Sequence, residues 1–440
     1  MHYSGQDYHI REMVSGASVS FGFRILGAVG QFFFSVLIAR LFGADGFGVY
    51  ALALAIIVVS STVGRWGLDQ SVLKHIAVFA DQGEWGAVKA SFSKAFLMVS
   101  ILSLVMTIVI FLLAEWVSTV LFNEPGLTDL LQIMAFGIFP FAILNLIAES
   151  LRALKKVGVY TLVQGLLVPV VSALFLMGGV FVSSSVNTVA YAYMLACYVT
   201  LVAAFLLWRR ALNQVAGREM KGTVRSIVLL NTAAPMAWVA LVGIAMSFSE
   251  TILLGIFHSS SEVGVYAAAL RLALLINFVI IAFNSILAPK FAALYKQNAL
   301  SEITRLANSS VWMMSVLTLP IFGLFFIFPE YLLSLFSPDF AMASTALMIL
   351  AFGQLINIIA GPVGIILLMS GHETLMRKNA LIAALISFSL GVVFIPVYGV
   401  IGAACAATTG MIILNGLLSW SVGKKLGVIV TFMRPFLDGR

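Results

Sequence analysis

Charge is what this chain has least of. Asp, Glu, Lys and Arg together make up 10% of its 440 residues, against about 25% in soluble domains. Hydrophobic residues make up 61%, and the mean hydropathy is +1.08. That composition excludes an ordinary soluble fold and predicts a polytopic membrane protein. Cysteine is almost absent: Cys197 and Cys405 both fall inside apolar runs, which argues against a disulfide framework and a thiolate metal site. No G-x-x-x-x-G-K-[ST] and no H-E-x-x-H occurs, so neither a nucleotide loop nor a zinc helix is expected, and no cofactor. A cleavable leader is not expected either, because the first 14 residues are polar and mixed in charge. No long polar stretch offers room for a soluble catalytic domain, so translocation is favoured over catalysis.

Twelve apolar runs are present: 16–41, 47–72, 90–114, 127–151, 158–182, 187–208, 226–257, 263–288, 307–328, 341–369, 377–397 and 400–422. Each is long enough for a membrane helix, which needs about 20 residues, and only helices satisfy their own backbone in hydrocarbon. The fold expected is an all-α integral membrane protein of twelve transmembrane helices. Pro140, Pro169, Pro235, Pro320 and Pro362 lie inside runs and predict kinks.

Basic residues sort by side. With the N-terminus in the cytoplasm, 21 of the 25 lie in cytoplasmic segments, among them Lys155, Lys156, Arg209, Arg210, Arg218, Lys221, Arg377, Lys424, Arg434 and Arg440. The opposite loops hold Glu115, Glu124, Asp129, Glu262, Glu330 and Asp339 and no Lys or Arg. The net charge of +7 and pI of about 9.4 are therefore a topology signal, and no nucleic-acid partner is expected.

Two short matches share one offset of 216 residues: Ala135-Phe136-Gly137 with Ala351-Phe352-Gly353, and Gly48-Val49-Tyr50-Ala51 with Gly264-Val265-Tyr266-Ala267. They predict two six-helix lobes, 1–208 and 226–440, joined by the basic linker 209–225. An even helix count makes the repeats parallel, with substrate between them and alternating access as the cycle.

The remaining basic residues, Arg24, Arg40, Arg65 and Arg271, lie in or at the edges of runs. A charge at the centre of a membrane helix costs roughly 2.5–3.5 kcal/mol. Arg24 sits about eight residues into its run, roughly 12 Å deep, and predicts a cavity role. Arg65 is nearer a boundary, where it can snorkel, pair with Asp69 at i+4, or meet ligand. Arg40 reads as an interface anchor. Arg271 and Glu250 lie at matching depths on neighbouring runs and allow an interhelical pair. Glu149, one turn before Arg152, reads as an interface residue. Asn145, Gln164, Asn277 and Asn357 read as helix–helix hydrogen bonds, or as groups facing a sugar.

The stretches RILG…ARLFGADGFGVY over Arg24–Tyr50 and RWGLDQSVLK over Arg65–Lys74 resemble the polysaccharide-transporter branch of the MOP superfamily. ETILLGIFHSSSEVGVYAAALR over Glu250–Arg271 resembles that family's seventh and eighth helices. The resemblance implies a non-enzymatic flippase for undecaprenyl-diphosphate-linked oligosaccharides in the bacterial inner membrane, serving O-antigen, capsule or exopolysaccharide synthesis. Arg24 and Arg65 match positions where the related lipid II flippases carry cavity arginines, which implies substrate contact there; the depth of Arg271 makes it a third substrate-binding candidate, with Glu250 or Asp69 as ion-coupling groups or charge partners. The resemblance names lipid-linked oligosaccharide, membrane lipids and a polysaccharide polymerase complex as partners. One cavity arginine of the related lipid II flippases falls near Gly30 here and is missing. The alternatives are a MATE-type cation-coupled drug exporter, which would want acidic cavity groups, and a polyprenyl-sugar polymerase or ligase, which would want a long outer loop.

Reporter fusions test the topology. Fusions after Glu124, Ser185, Ser260 and Asp339 should report outside, and those after Gln82, Arg218 and Lys424 inside. A cytoplasmic signal from any of the first four breaks the helix count.

Overall fold

The computed structural model describes residues 4–213 and 224–430. Arg218, Lys221, Arg434, Arg440 and most of the expected linker 209–225 lie outside them. Among the described residues every regular element is helical, as hydrocarbon requires of a spanning backbone.

Two compact units make up the chain: residues 1–42 with 49–241, and residues 43–48 with 242–440. The division by contact therefore differs from the division by repeat. The short segment 43–48 belongs to the second unit, and the boundary at 241 falls inside one continuous helix.

The first unit contains most of α1 (Ser4–Arg65), then α2 (Leu68–Gln82), α3 (Trp85–Trp116) and α4 (Leu127–Ala135). It continues with α5 (Ile138–Ala153), α6 (Val157–Thr161), a π-helical segment (Leu162–Leu167), α7 (Val168–Gly179) and α8 (Asn187–Asn213). The early part of α9 (Ser226–Phe257) completes it. α5 is the centre: every residue from Ala142 to Leu151 is buried, and it packs on α2, α3 and α8. A helix buried all round has no wet face to present, and its Asn145 and Glu149 must find partners inside the protein.

α3 shows how a lipid-facing helix is written. Its buried face mixes small or hydroxylated residues, Ser91, Ala95, Ser103, Thr107 and Ala114, with the larger Phe92, Val99 and Ile110. Leu97, Ile101, Leu104, Ile108 and Leu112 are exposed instead. Small inward residues let helices approach closely, and large outward ones meet acyl chains.

α9 joins the first unit through α2. Ser71 Oγ donates to the Leu229 carbonyl at 2.8 Å, and His75 Nε2 lies 3.2 Å from Thr232 Oγ1.

The second unit continues from α9 through α10 (Ser260–Ala273), a 3₁₀ turn, α11 (Asn277–Lys296), α12 (Leu300–Ile327), α13 (Pro329–Ser334) and a second 3₁₀ turn. α14 (Ser344–Ala360), α15 (Val363–Met369) and α16 (Glu373–Leu426) follow. Leu287 and Phe291 of α11 pack with Val363, Ile366, Leu418 and Val422 as a core.

Among the described residues, nine helices are long and apolar enough to cross a membrane, ten if the α4–α5 pair, bent by 45°, is one span. Two of them hold paired apolar runs. The membrane-length part of α1 covers 46 residues and α16 covers 54, where about 20 cross hydrocarbon. Each breaks at one glycine in a left-handed conformation, Gly43 (φ 69°) and Gly399 (φ 53°), which a side chain with a Cβ rarely adopts. The chain is thus a multi-pass membrane protein. The expected kinks divide: Pro362 follows the break at Gly361 and Pro140 follows the α4–α5 bend, but α9 and α12 run through Pro235 and Pro320 as single helices.

The repeated Gly-Val-Tyr-Ala stretch has a packing reason. Inside the second unit, segment 43–48 lies against the start of α10. A Cβ on Gly48 would sit 1.7 Å from the Ser260 carbonyl oxygen, and one on Gly264 would sit 2.0 Å from that of Ala44. Ala44-x-x-x-Gly48 therefore meets Ser260-x-x-x-Gly264 reciprocally, a small-x-x-x-small crossing. Ser260 Oγ also donates to Asp45 Oδ1 at 3.2 Å. Overpacking here should cost about 1–3 kcal/mol. Gly48→Val and Gly264→Val should lower the melting temperature of the purified protein, while Gly243→Ala, with nothing within 4 Å of its Cβ, should leave it unchanged.

Candidate functional site

Buried polar groups in the first unit lie at two levels. At one end, Arg65 Nη2 donates to Thr62 Oγ1 at 2.7 Å, and its Nε lies 3.6 Å from Asp69 Oδ2. Asp69 Oδ1 accepts from the Gln70 amide at 2.9 Å. Glu149 is 4% exposed and pairs with Arg152 at 3.3 Å. The Arg152 guanidinium stands 5.2 Å over the Tyr160 ring, a cation–π distance. Arg24 is exposed on α1, with its charge within reach of Tyr160. Arg65 and Asp69 thus form the expected i,i+4 pair. Arg24 lies near the start of α6, at the end that follows Lys155 and Lys156.

The second level begins one turn further along. Gln164, inside the π-helical segment, donates to Asn145 Oδ1 at 3.4 Å, and Asn145 donates to the Phe141 carbonyl at 2.7 Å. Single π turns disturb helical register and are frequent at functional sites. A cavity of about 180 Å³ opens beside it, lined by Gln31, Gln164, Ser172 and Tyr193 among aromatic and aliphatic side chains. Glycines on α1 allow the close approach: a Cβ on Gly27 would sit 2.5 Å from the Gly165 carbonyl oxygen, and one on Gly30 would sit 2.8 Å from Val170 Cγ2. The position where lipid II flippases carry a further arginine therefore has no room for one here.

In the second unit Glu250 is 4% exposed. Its Oε1 accepts from Ser387 Oγ at 2.8 Å and its Oε2 from Ser249 Oγ at 3.0 Å. Ser387 Oγ also lies 3.0 Å from the Ala406 carbonyl. Arg271 is half-buried near the end of α10, and Asn357 donates to Asn277 at 3.4 Å. His258 Nε2 donates to the Ile395 carbonyl at 2.8 Å and its Nδ1 meets Glu262 at 3.2 Å, holding the corner before α10 against α16.

Sequence reasoning did not find Gln31, Ser172, Tyr193 or Ser387 as site groups. The available signal was weak: hydroxyls and an amide in apolar runs, where most such groups only bond their own helix. A double-mutant cycle tests the Arg65–Asp69 pair. Arg65→Ala and Asp69→Ala should each lower thermal stability, with a coupling of about 0.5–3 kcal/mol for contacting residues; additive effects would show that the pair is not formed.

The low-salt glycan relative is archaeal: the protein named "Probable low-salt glycan biosynthesis flippase Agl15" of Haloferax volcanii is 23% identical over 386 residues, covering 87% of this chain and 77% of that protein. Among solved structures, an inward-facing multidrug resistance MATE family transporter of the MOP superfamily superposes with a TM-score of 0.70 at 14% identity, over 93% of this chain and 98% of that one. The lipid II flippase MurJ in an inward closed conformation gives 0.71 at 14% identity, over 93% and 87%. At such identities these structures speak for the fold alone. Residues 37–339 match the family described as polysaccharide biosynthesis protein, and over that span, more than half its length, the chain belongs to this family.

Proposed function

We propose that this chain is a flippase that carries a polyprenyl-diphosphate-linked oligosaccharide across the membrane. The carrier read from the sequence is undecaprenyl diphosphate, and the membrane the bacterial inner membrane, for O-antigen, capsule or exopolysaccharide synthesis. In this reading α1 and α16 each cross twice, which with the α4–α5 pair as one span gives twelve crossings, with both termini cytoplasmic. Lobes 1–208 and 226–440 are parallel repeats that alternate access.

The observation that carries the reading is Arg24, exposed on a membrane-length helix with its charge within reach of Tyr160, over whose ring the Arg152 guanidinium stands. A fixed cation there attracts a diphosphate, whose oxygens suit the planar guanidinium fork. Arg65 and Arg271 supply further positive charge, and the prenyl tail stays in lipid while the head group crosses. The likeness to a glycan biosynthesis flippase supports the substrate class, and a polysaccharide polymerase is the partner that would consume the product.

Glu250 is the coupling group in this proposal, with Asp69 holding Arg65. The Ser387 hydroxyl has one proton and two acceptors, Glu250 Oε1 and the Ala406 carbonyl. A proton on Glu250 lets Glu250 donate to Ser387 and Ser387 to Ala406, which satisfies the whole chain. Uptake and loss of that proton can therefore repack α9 against α16. The same buried carboxylate favours the second reading, a MATE-type cation-coupled exporter, which would treat Arg24 as dispensable.

Glycan display measured with membrane abundance separates the two. A charge-assisted hydrogen bond is worth about 1.5–3 kcal/mol, so Arg24→Ala and Arg271→Ala should each lower export about tenfold or more at normal abundance. Arg24→Lys should rescue in part. Normal export from the Arg24→Ala/Arg271→Ala double variant would overturn the cationic mechanism.

A further inference from the structure

The first unit separates charge from neutral polarity along one line, and the separation matches the order of groups in a lipid-linked sugar. Arg24 and Gln31 are seven residues apart on α1, two turns, so they share a face about 10 Å apart. Tyr160 and Gln164 repeat the step one turn apart on the facing segment, and the Tyr160 hydroxyl reaches Gln164. The charged level holds Arg24 and Arg152. The cavity level has no Lys, Arg, Asp or Glu in its lining.

The cavity is open along Gln164 and Gly165, which are exposed, and closed at Ser172 and Tyr193, 0% and 3% exposed. Among the described residues neither the Ser172 hydroxyl nor the Tyr193 hydroxyl has a hydrogen-bonded oxygen or nitrogen. Tyr193 has the Cys197 thiol beside it, a weak partner, and lies within reach of the Arg65 charge. Leaving a buried hydroxyl unmade costs about 1–3 kcal/mol, and both of these residues border the one cavity. An ion would find no opposite charge in that lining and would be poorly desolvated. A ring with hydroxyls at its edge and C–H faces above and below fits instead. Two amides and two hydroxyls can meet its edge, and Phe34 and Phe141 can cover its faces.

We infer that this cavity is a subsite for a neutral sugar ring, the one next to the diphosphate, held by Gln31, Gln164, Ser172 and Tyr193. The inference rests on the flippase reading for the source of the ring, but the cavity's chemistry can be tested without it.

The probes are methyl glucoside, methyl galactoside and methyl N-acetylglucosaminide, measured by saturation-transfer NMR on the full chain in lipid nanodiscs. At least one should bind the wild-type protein. Gly165→Leu fills the open side, where a Cβ meets nothing within 4 Å, and should weaken that binding at least about tenfold, one full bond's worth or more. Ser172→Ala keeps the shape and removes one hydroxyl, so it should weaken binding about three- to tenfold; it carries the test if Gly165→Leu does not fold. No binding of any glycoside to the wild type, or wild-type binding by both variants, would overturn the inference and leave the cavity to water. Binding of farnesyl diphosphate, lost in Arg24→Ala and kept in Gly165→Leu, reports separately on the cationic level. Its failure alone would strike the reading of Arg24 and not that of the cavity.

Discussion

Hydrocarbon offers a peptide group no hydrogen-bond partner, and the rest of this structure follows from that constraint. The backbone must close its own bonds, so every described element is a helix. Helices in lipid gain little from burying apolar surface against one another, so they associate where small residues let them touch. α3 turns Ser103 and Thr107 inward and Leu104 and Ile108 outward for this reason. The crossing of Ala44-x-x-x-Gly48 on Ser260-x-x-x-Gly264 and the approach of Gly27 to Gly165 are the same rule at single positions.

The constraint also makes each retained polar group informative. Arg65 has Thr62 and Asp69, Glu149 has Arg152, and Glu250 has two serines. These groups are compensated, and each compensation joins two turns or two helices. Arg24 is exposed instead, and Ser172 and Tyr193, whose hydroxyls have no oxygen or nitrogen partner, border a cavity. The two kinds differ in what they leave for a ligand: the first kind is spent on the fold, the second is not.

Fold class was legible because a bilayer imposes a length and a composition, and both are one-dimensional. The run 16–41 and most of 47–72 lie within α1, the latter running on into α2, and the pair 377–397 and 400–422 lies within α16, with the turns at Gly43 and Gly399. The repeat at an offset of 216 was legible as letters, but its cause, two glycines whose absent Cβ atoms would strike each other's neighbours, is a fact of three dimensions. The pair of Arg65 with Asp69 was legible because i and i+4 share a helix face. The partners of Glu250 were not, since Ser387 lies 137 residues away and a serine in an apolar helix ordinarily bonds only its own backbone. The cavity was least legible: it depends on a π-helical turn at Leu162–Leu167 that re-aims Gln164, and no residue type announces such a turn.

Translocation itself is the central claim, and reconstitution tests it most directly. Proteoliposomes carrying a polyprenyl-diphosphate oligosaccharide in both leaflets can be treated from outside with an impermeant glycosidase. The account predicts that the protein raises the cleaved share from the outer-leaflet fraction to nearly all of the lipid, and that protein-free vesicles stay at the outer-leaflet fraction. A cleaved share that remains at the outer-leaflet fraction with the folded protein present, under either direction of a proton gradient, would contradict it.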